Sequence, residues 1–323
     1  MTEKISVIIV TRNRAKMLSG CLESLVKQTR LPDEVVVVDN ASSDNTKEVV
    51  LSFKKKLPIK YVSEEQVGIP YARNRGIKEA SGTLLLMLDD DCEADKYWVE
   101  RMENAHKKYP KAWVIQGRTH SLPRTKIYSL FAEFGRFLYL RDSAKKQTLR
   151  MINFFSKEFE EETELLICDT KNFSIKTSYL KKYNLSFDEN FYRGSDTDLG
   201  KQILQKNGLI MFCPRVTVGH WERSSLKEFL KQQWQIGRAK ARIGNKWKKS
   251  SFTTNMPPKL KGPLYLLLFC KIFNRWPKLP TLMLLLFLEN LYRINGWFFE
   301  KIIISIRSYS SSESGLVETE SRS

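Results

Sequence analysis

At 323 residues the chain can bury one large core and still carry appendages. Its 54 Lys and Arg against 36 Asp and Glu give a net charge of +18, yet no recognisable nucleic-acid module accompanies that excess, so a nucleic-acid partner is not expected. The five cysteines (Cys21, Cys92, Cys168, Cys213, Cys270) show no metal-ligand spacing and point to a reducing compartment, and no signal peptide is expected ahead of the first strand.

The first predicted strand is the apolar run Ile5–Val10, followed by a helix over Ala15–Gln28 with Leu18, Cys21, Leu22, Leu25 and Val26 at helical spacing. Val35–Val38 reads as a β-branched second strand, a second helix begins near Asp44, and Ile59–Val62 is the third strand. This β-α-β-α-β order predicts a mostly parallel sheet wound by right-handed crossovers. Ligands of such sheets sit outside the carboxyl ends of the strands. Three strand ends are polar: Thr11-Arg12-Asn13-Arg14, Asp39 through Asp44, and Asp89-Asp90-Asp91. Ser42, Ser43 and Asp44 also suit helix capping, whereas Asp39 directly follows its strand.

The run Leu85-Leu86-Met87-Leu88 reads as a fully buried strand, and the three carboxylates at its end repel one another unless a cation neutralises them. Alternation along the strand predicts Asp89 and Asp91 on one side and Asp90 on the other. Hard oxygen ligands of this kind suit Mg²⁺ or Mn²⁺ completed by a substrate phosphate. A solvated acidic turn capping the helix near Trp98 is the alternative.

Four strings in order, Ser6 to Arg14, Val37 to Asp44, Gly68 with Ala72-Arg73-Asn74 and Gly76, and Leu88 to Asp91, resemble the family 2 glycosyltransferases. The likeness extends over roughly residues 4–245. It implies an α/β chain with the GT-A fold, a single Rossmann-like domain with a mostly parallel central sheet. There is no Gly-rich phosphate loop, which agrees with a fold that holds its diphosphate through a metal. The resemblance further implies that Thr11, Asn13, Asp39, Arg73 and Asp89 bind the donor nucleotide, with Asp39 accepting from the base. Asp91 would be the direct ligand of Mn²⁺ or Mg²⁺, and Asp89 would lie near the ribose and hydrated metal. Arg73 also reads as a surface arginine on a helix.

Downstream, Asp169 to Ile175 resembles the segment lining the acceptor pocket, which puts Asn172, Ser174 and Trp221 on the acceptor side. Phe187 and Phe191 are expected in the core. The family usually has Glu-Asp where this chain has Ser195-Asp196, so Asp196 takes the place of the general base; capping a helix is its structural alternative, and Asp198 suits the first helical turn. His220 occupies a position from which the family often reaches the metal or diphosphate, with a structural histidine as the other reading. His106 and His120 receive no role.

One carboxylate to take the acceptor's proton and one metal to stabilise the leaving diphosphate suit a single displacement with inversion. From Arg223 to Ser323 there are 18 basic and 6 acidic residues, so two-thirds of the net charge lies in the last third of the chain. The apolar runs at 264–270 and 282–288 are too short for confident spans. Beside basic residues they suggest a segment lying on an anionic membrane surface, with a helical hairpin packed on protein as the soluble alternative.

The expected organisation is a catalytic domain at 1–225, with a nucleotide-sugar half (1–118) and an acceptor half (119–225). A basic helix and linker (226–262), an apolar membrane-associating hairpin (263–307) and a disordered tail (308–323) follow. The expectation is an inverting, metal-dependent glycosyltransferase on the cytoplasmic face of the membrane, acting on a glycan or lipid-linked acceptor in polysaccharide or glycolipid synthesis. A catalytically silent GT-A scaffold or sugar-nucleotide-binding protein is the alternative.

Overall fold

Three of the apolar runs of the first ninety residues become inner strands of one sheet, because each can be buried on both faces, while Ile59–Ser63 forms the edge. The structure, a computed structural model, describes residues 3–122, 126–143, 162–223, 225–248 and 278–320. Strands β1 (Ile5–Thr11), β2 (Glu34–Asp39), β3 (Ile59–Ser63) and β4 (Leu84–Asp89) alternate with helices α1 (Ala15–Val26), α2 (Thr46–Ser52) and α3 (Ile69–Glu79). Then come β5 (Cys92–Ala94), α4 (Trp98–Lys108), β6 (Ala112–Leu122) and α5 (Lys126–Ser143). The second half continues with β7 (Thr163–Glu164), β8 (Asn172–Lys176), α6 (Thr177–Lys182), α7 (Ser195–Gln205), β9 (Leu209–Trp221), α8 (Leu226–Lys246) and α9 (Leu279–Glu320).

The strand order is β3-β2-β1-β4-β8-β6-β9-β5, with β7 also on β9. Neighbours from β3 to β4 run parallel, as does β6 with β9. However, β8 lies antiparallel between β4 and β6, and β5 and β7 are antiparallel to β9. The sheet is therefore mixed, and the mostly parallel expectation holds only for its first half. The βαβ order of that half says nothing of β8, which enters the centre of the sheet in the opposite sense.

One face of the sheet packs Leu18, Leu22 and Leu25 of α1 and Trp98 and Met102 of α4. The other packs Ala72 of α3, Leu199 and Ile203 of α7, and Phe187. Phe191 is also buried.

Strand β8 corrects the acceptor-side expectation for Asn172 and Ser174, since both side chains are wholly buried. Asn172 accepts from Trp98 Nε1 at 2.8 Å and donates to the carbonyls of Arg118 and Val216 at 2.8 and 2.9 Å. Gly117 is glycine because a Cβ there would come within 2.3 Å of the Asn172 amide. Ser174 Oγ lies 2.8 Å from His106 Nε2. These polar residues join strands to helix α4, because a buried polar group must be bonded. They do not face a substrate.

The chain divides into two compact units, Met1–Glu222 and Arg223–Ser323. In the second, α8 and α9 cross where a Cβ on Gly237 would meet the Arg293 carbonyl at 2.0 Å and one on Gly296 would meet that of Trp234 at 2.1 Å. Buried Glu300 accepts from Arg238 and Arg242, each at 2.6 Å, and Glu289 pairs with Arg293 at 2.6 Å. The run 282–288 lies in one long helix packed on α8; the run 264–270, and with it the expected hairpin, lies outside the described residues. The tail expected to be disordered continues as helix to Glu320, since adding residues to an existing helix costs far less than starting one. Among the described residues, no helix is long and apolar enough to cross a membrane.

His106 has a pH signature. Burial lowers its imidazole from 6.5 to about 3, so the folded chain keeps it neutral while the unfolded chain protonates below 6.5. Stability should fall as pH drops through that window, at about 1.4 kcal/mol per pH unit from this residue. Urea unfolding of His106→Gln between pH 6.5 and 4 should show a flatter acid slope than wild type; an identical slope would contradict the assignment.

Candidate active site

Strand β4 ends at Asp89, so Asp90 and Asp91 lie in the turn before β5 and no longer follow strand alternation. The three carboxylates divide differently from the expectation. Asp90 and Asp91 share one cation: Arg14 Nη1 lies 2.8 Å from Asp90 Oδ1 and 2.8 Å from Asp91 Oδ2. Asp89 instead pairs with Arg73 Nη2 at 3.2 Å.

Asp90 and Asp91 are each only 4% exposed. Burial pushes the Asp90 carboxyl up to about 6, with the Arg14 guanidinium acting against it. For Arg14 itself burial disfavours charge, but the two carboxylates push its pKa up and hold it cationic. Thr11 donates to Asp90 Oδ2 at 2.8 Å, so the hydroxyl expected at the donor nucleotide is committed to the carboxylate turn.

Asn13 stands in left-handed backbone (φ 52°), a conformation asparagine tolerates. Its backbone N–H donates to Ser42 Oγ at 2.9 Å and its Oδ1 accepts from the Ser43 N–H at 2.7 Å. It therefore ties the loop after β1 to the loop after β2. Asp39, buried at the end of β2, accepts from the Ser42 N–H at 3.0 Å and from Tyr61 Oη at 2.8 Å. Burial and that carboxylate push the Tyr61 phenol up to about 12.

Arg73 is 9% exposed, which removes the surface-arginine reading. Its guanidinium stacks over Phe187 at 5.3 Å from the ring centroid, and Nη1 lies 3.5 Å from Ser195 Oγ. The side chain thus bridges the end of β4 and the start of α7. At that start, Gly194 takes a left-handed φ of 85°. Asp196 follows, accepting from the Thr197 N–H at 2.7 Å. Burial first, and then neighbouring Asp169, raises the Asp196 pKa, while Arg73 and Lys171 oppose that rise. Asp198 is buried in the first turn, where its Oδ2 accepts from Gln202 at 2.8 Å.

Three groups here were missed in the sequence. Gln116 takes the Asp169 N–H at 2.7 Å and donates to the carbonyls of Asp169 and Asn172, which pins the loop before β8. That loop brings Cys168 Sγ within 3.2 Å of the Asp196 carbonyl and forms the Lys171–Asp169 ion pair at 2.5 Å. Although burial opposes its charge, Lys171 is held cationic by Asp169 and Asp89. Glu222, one residue past the end of β9, is the third.

His220 Nδ1 lies 3.1 Å from Glu222 Oε1, and Nε2 faces Asp91 Oδ1 at 3.4 Å. Burial would raise the Glu222 carboxyl, but His220 and Arg136 hold it down at about 2. Trp221 donates its indole N–H to Glu93 at 2.8 Å and its backbone N–H to the Asp91 carbonyl at 2.9 Å. It therefore braces the carboxylate turn.

Among the described residues no three His, Cys, Asp or Glu side chains form a ready metal cage. Asp91 and His220 nevertheless fit a divalent ion. One carboxylate oxygen and one imidazole nitrogen face each other, and the second nitrogen is oriented by Glu222, as a ligating histidine's usually is. Magnesium and manganese sites that share a substrate diphosphate need only one or two protein ligands.

Fold and site together are of the GT-A class. The pattern described as glycosyl transferase family 2 matches residues 6–183, more than half of the chain, and the chain belongs to that family. It is 32% identical over 231 residues to validoxylamine A glucosyltransferase of Streptomyces hygroscopicus subsp. limoneus, covering 67% of this chain and 51% of that one. The chain thus spans about half the length of that curated relative. A dolichyl N-acetyl-α-D-glucosaminyl phosphate 3-β-D-2,3-diacetamido-2,3-dideoxy-β-D-glucuronosyltransferase of Methanococcus voltae is 25% identical over 247 residues, covering 73% of this chain and 72% of that one.

Two solved structures share the fold. The mannosyltransferase PcManGT from Pyrobaculum calidifontis, in complex with GDP-Man and Mn²⁺, gives a TM-score of 0.56 at 16% identity, covering 98% of this chain and 81% of that one. S. aureus TarS 1–349 in complex with UDP-GlcNAc gives 0.53 at 18%, covering 94% and 92%.

Proposed function

We propose that the chain transfers one sugar, with inversion, from a nucleoside-diphosphate sugar to a hydroxyl of a glycan or lipid-linked acceptor on the cytoplasmic face of an anionic membrane, in polysaccharide or glycolipid synthesis. The observation that carries the reading is Arg73, which ties donor-side Asp89 to Ser195, the neighbour of Asp196. Donor and proton acceptor then share one rigid floor.

Asp39, fixed by Tyr61 and the Ser42 N–H, accepts from the nucleotide base, and Asp89 and Arg73 meet the ribose and phosphates. Asp196 takes the acceptor hydroxyl's proton as the oxygen attacks the anomeric carbon, whose bond to the diphosphate oxygen breaks. The raised pKa of Asp196 makes it a stronger base for that step. Asp91 and His220 would hold Mn²⁺ or Mg²⁺, which when bound neutralises charge on the departing diphosphate. The Mn²⁺ and GDP-Man bound by the Pyrobaculum neighbour, and the dolichyl phosphate in the name of the Methanococcus relative, support the metal and the lipid-linked acceptor.

The second unit supports the membrane reading. Leu284, Phe287, Leu291, Phe298 and Ile302 are exposed on α9 at spacings of three, four and seven residues, so they lie on one face of the helix. Two of the unit's acidic residues, Glu289 and Glu300, are buried against arginines, which leaves its surface strongly cationic. An apolar helix face with basic surroundings suits an anionic interface.

Release of nucleoside diphosphate, assayed with sugar nucleotides and acceptor extracts, tests the chemistry. Asp196→Asn should keep nucleotide affinity and lose roughly 10²–10⁴ of kcat, as removal of a general base does. Asp91→Asn should lose both, and chelator should abolish turnover until Mn²⁺ is restored. Near-wild-type kcat in Asp196→Asn would make that residue a helix cap, and no release from any donor would favour a silent scaffold. On anionic liposomes, high salt should release only part of the bound protein, because salt screens charge and leaves apolar insertion intact. Protein that stays in the supernatant at low salt would remove the membrane reading.

A further inference from the structure

Arg14 occupies a position that the proposed chemistry does not use. Its backbone begins α1, with its carbonyl accepting from Met17 and Leu18 at 2.9 and 3.0 Å, so the base of the side chain is fixed. Its Nη1 bonds two different carboxylates at once, both nearly inaccessible to water. Asp91 is thereby split between partners: Oδ2 belongs to Arg14, and Oδ1 faces His220. Thr11 holds the remaining oxygen of Asp90, and Trp221 holds the Asp91 carbonyl, so the turn has little freedom to swing away from the guanidinium.

A carboxylate turn arranged this way is folded and half neutralised by the chain's own cation, one guanidinium against two carboxylates. A divalent ion shared by Asp91 and His220 meets a guanidinium already bound to the same carboxylate. Like charges repel, and inside a buried site that repulsion is weakly screened. A nucleoside diphosphate brings negative charge to the same place and reverses the balance.

We propose that Arg14 is an internal counter-ion that keeps the donor-free site weak for divalent metal, so that the ion is retained only together with a nucleoside diphosphate. Arg14 acts here as a positioning residue: it holds Asp90 and Asp91 in place and sets the order in which charge enters the site. The inference rests on Asp91 and His220 being the metal ligands.

The test is Mn²⁺ binding, followed by the electron paramagnetic resonance of the free ion, to the full-length protein alone and with saturating UDP or GDP. Wild type should bind Mn²⁺ at least tenfold more weakly without nucleotide than with the one it recognises. Arg14→Gln, which removes the competing charge, should bind Mn²⁺ at least tenfold more tightly than wild type in the absence of nucleotide. Its melting temperature without metal should fall, and Mn²⁺ should restore it. A general structural role for Arg14 would loosen the ligands and weaken binding, the opposite sign.

Unchanged or weaker Mn²⁺ affinity in folded Arg14→Gln overturns the proposal. Should that variant not fold, wild type decides: Mn²⁺ bound as tightly without nucleotide as with it also overturns it. Failure of the underlying metal assignment looks different. In that case Asp91→Asn binds Mn²⁺ as wild type does, or no Mn²⁺ binds under any condition.

Discussion

Three consecutive carboxylates at the end of a buried strand stay ionised together only if cations lie against them, and this constraint organises the site. Asp89, Asp90 and Asp91 are answered by Arg73 and Arg14, one from α3 and one from the start of α1. Each arginine makes a second connection. Arg14 bridges Asp90 to Asp91, and Arg73 reaches Phe187 and Ser195 from the other half of the domain. Neutralising the turn and joining the two halves are therefore one set of contacts.

The second half of the domain depends on β8. Because that strand enters antiparallel between β4 and β6, its polar residues Asn172 and Ser174 are sealed between the sheet and α4. The loop before it is left at the edge of the site, where Gln116 clamps its backbone and Lys171 and Asp169 face Asp196. The negative charge of Asp169 and the positive charge of Lys171 act on that carboxylate in opposite directions, so its basicity reflects their balance. His220 reaches Asp91 from β9 and is itself held by Glu222, just past the strand's end.

Much of the first half of the domain was legible in the chain. Runs such as Val35–Val38 and Leu85–Leu88 are apolar on both faces, which few structures other than central strands accommodate, and the polar ends then fall on one rim. The sharing of Asp90 and Asp91 by one arginine was not legible. It depends on the strand ending at Asp89, and hydrophobic pattern does not fix a boundary to one residue. Asn172 and Ser174 misled for a related reason: polar residues next to a functional loop look like ligands until their buried partners, Trp98 and His106, are known. The Ser- and Glu-rich tail read as disordered because composition reports what a segment can bury, and says little about whether an existing helix runs on through it.

The central claim is that the ends of β1, β2 and β4 form one donor site whose base is read by Asp39 and whose diphosphate meets the carboxylate turn. The most direct measurement is a thermal-shift series with UDP-, GDP- and dTDP-sugars in the presence of Mn²⁺, run on wild type and Asp39→Ala. A ligand that binds only the folded chain raises stability with the logarithm of its concentration. The account predicts such a rise for one base, displaced to higher concentration in Asp39→Ala. An Asp39→Ala curve that overlays wild type, or no shift with any of the three donors, would contradict it.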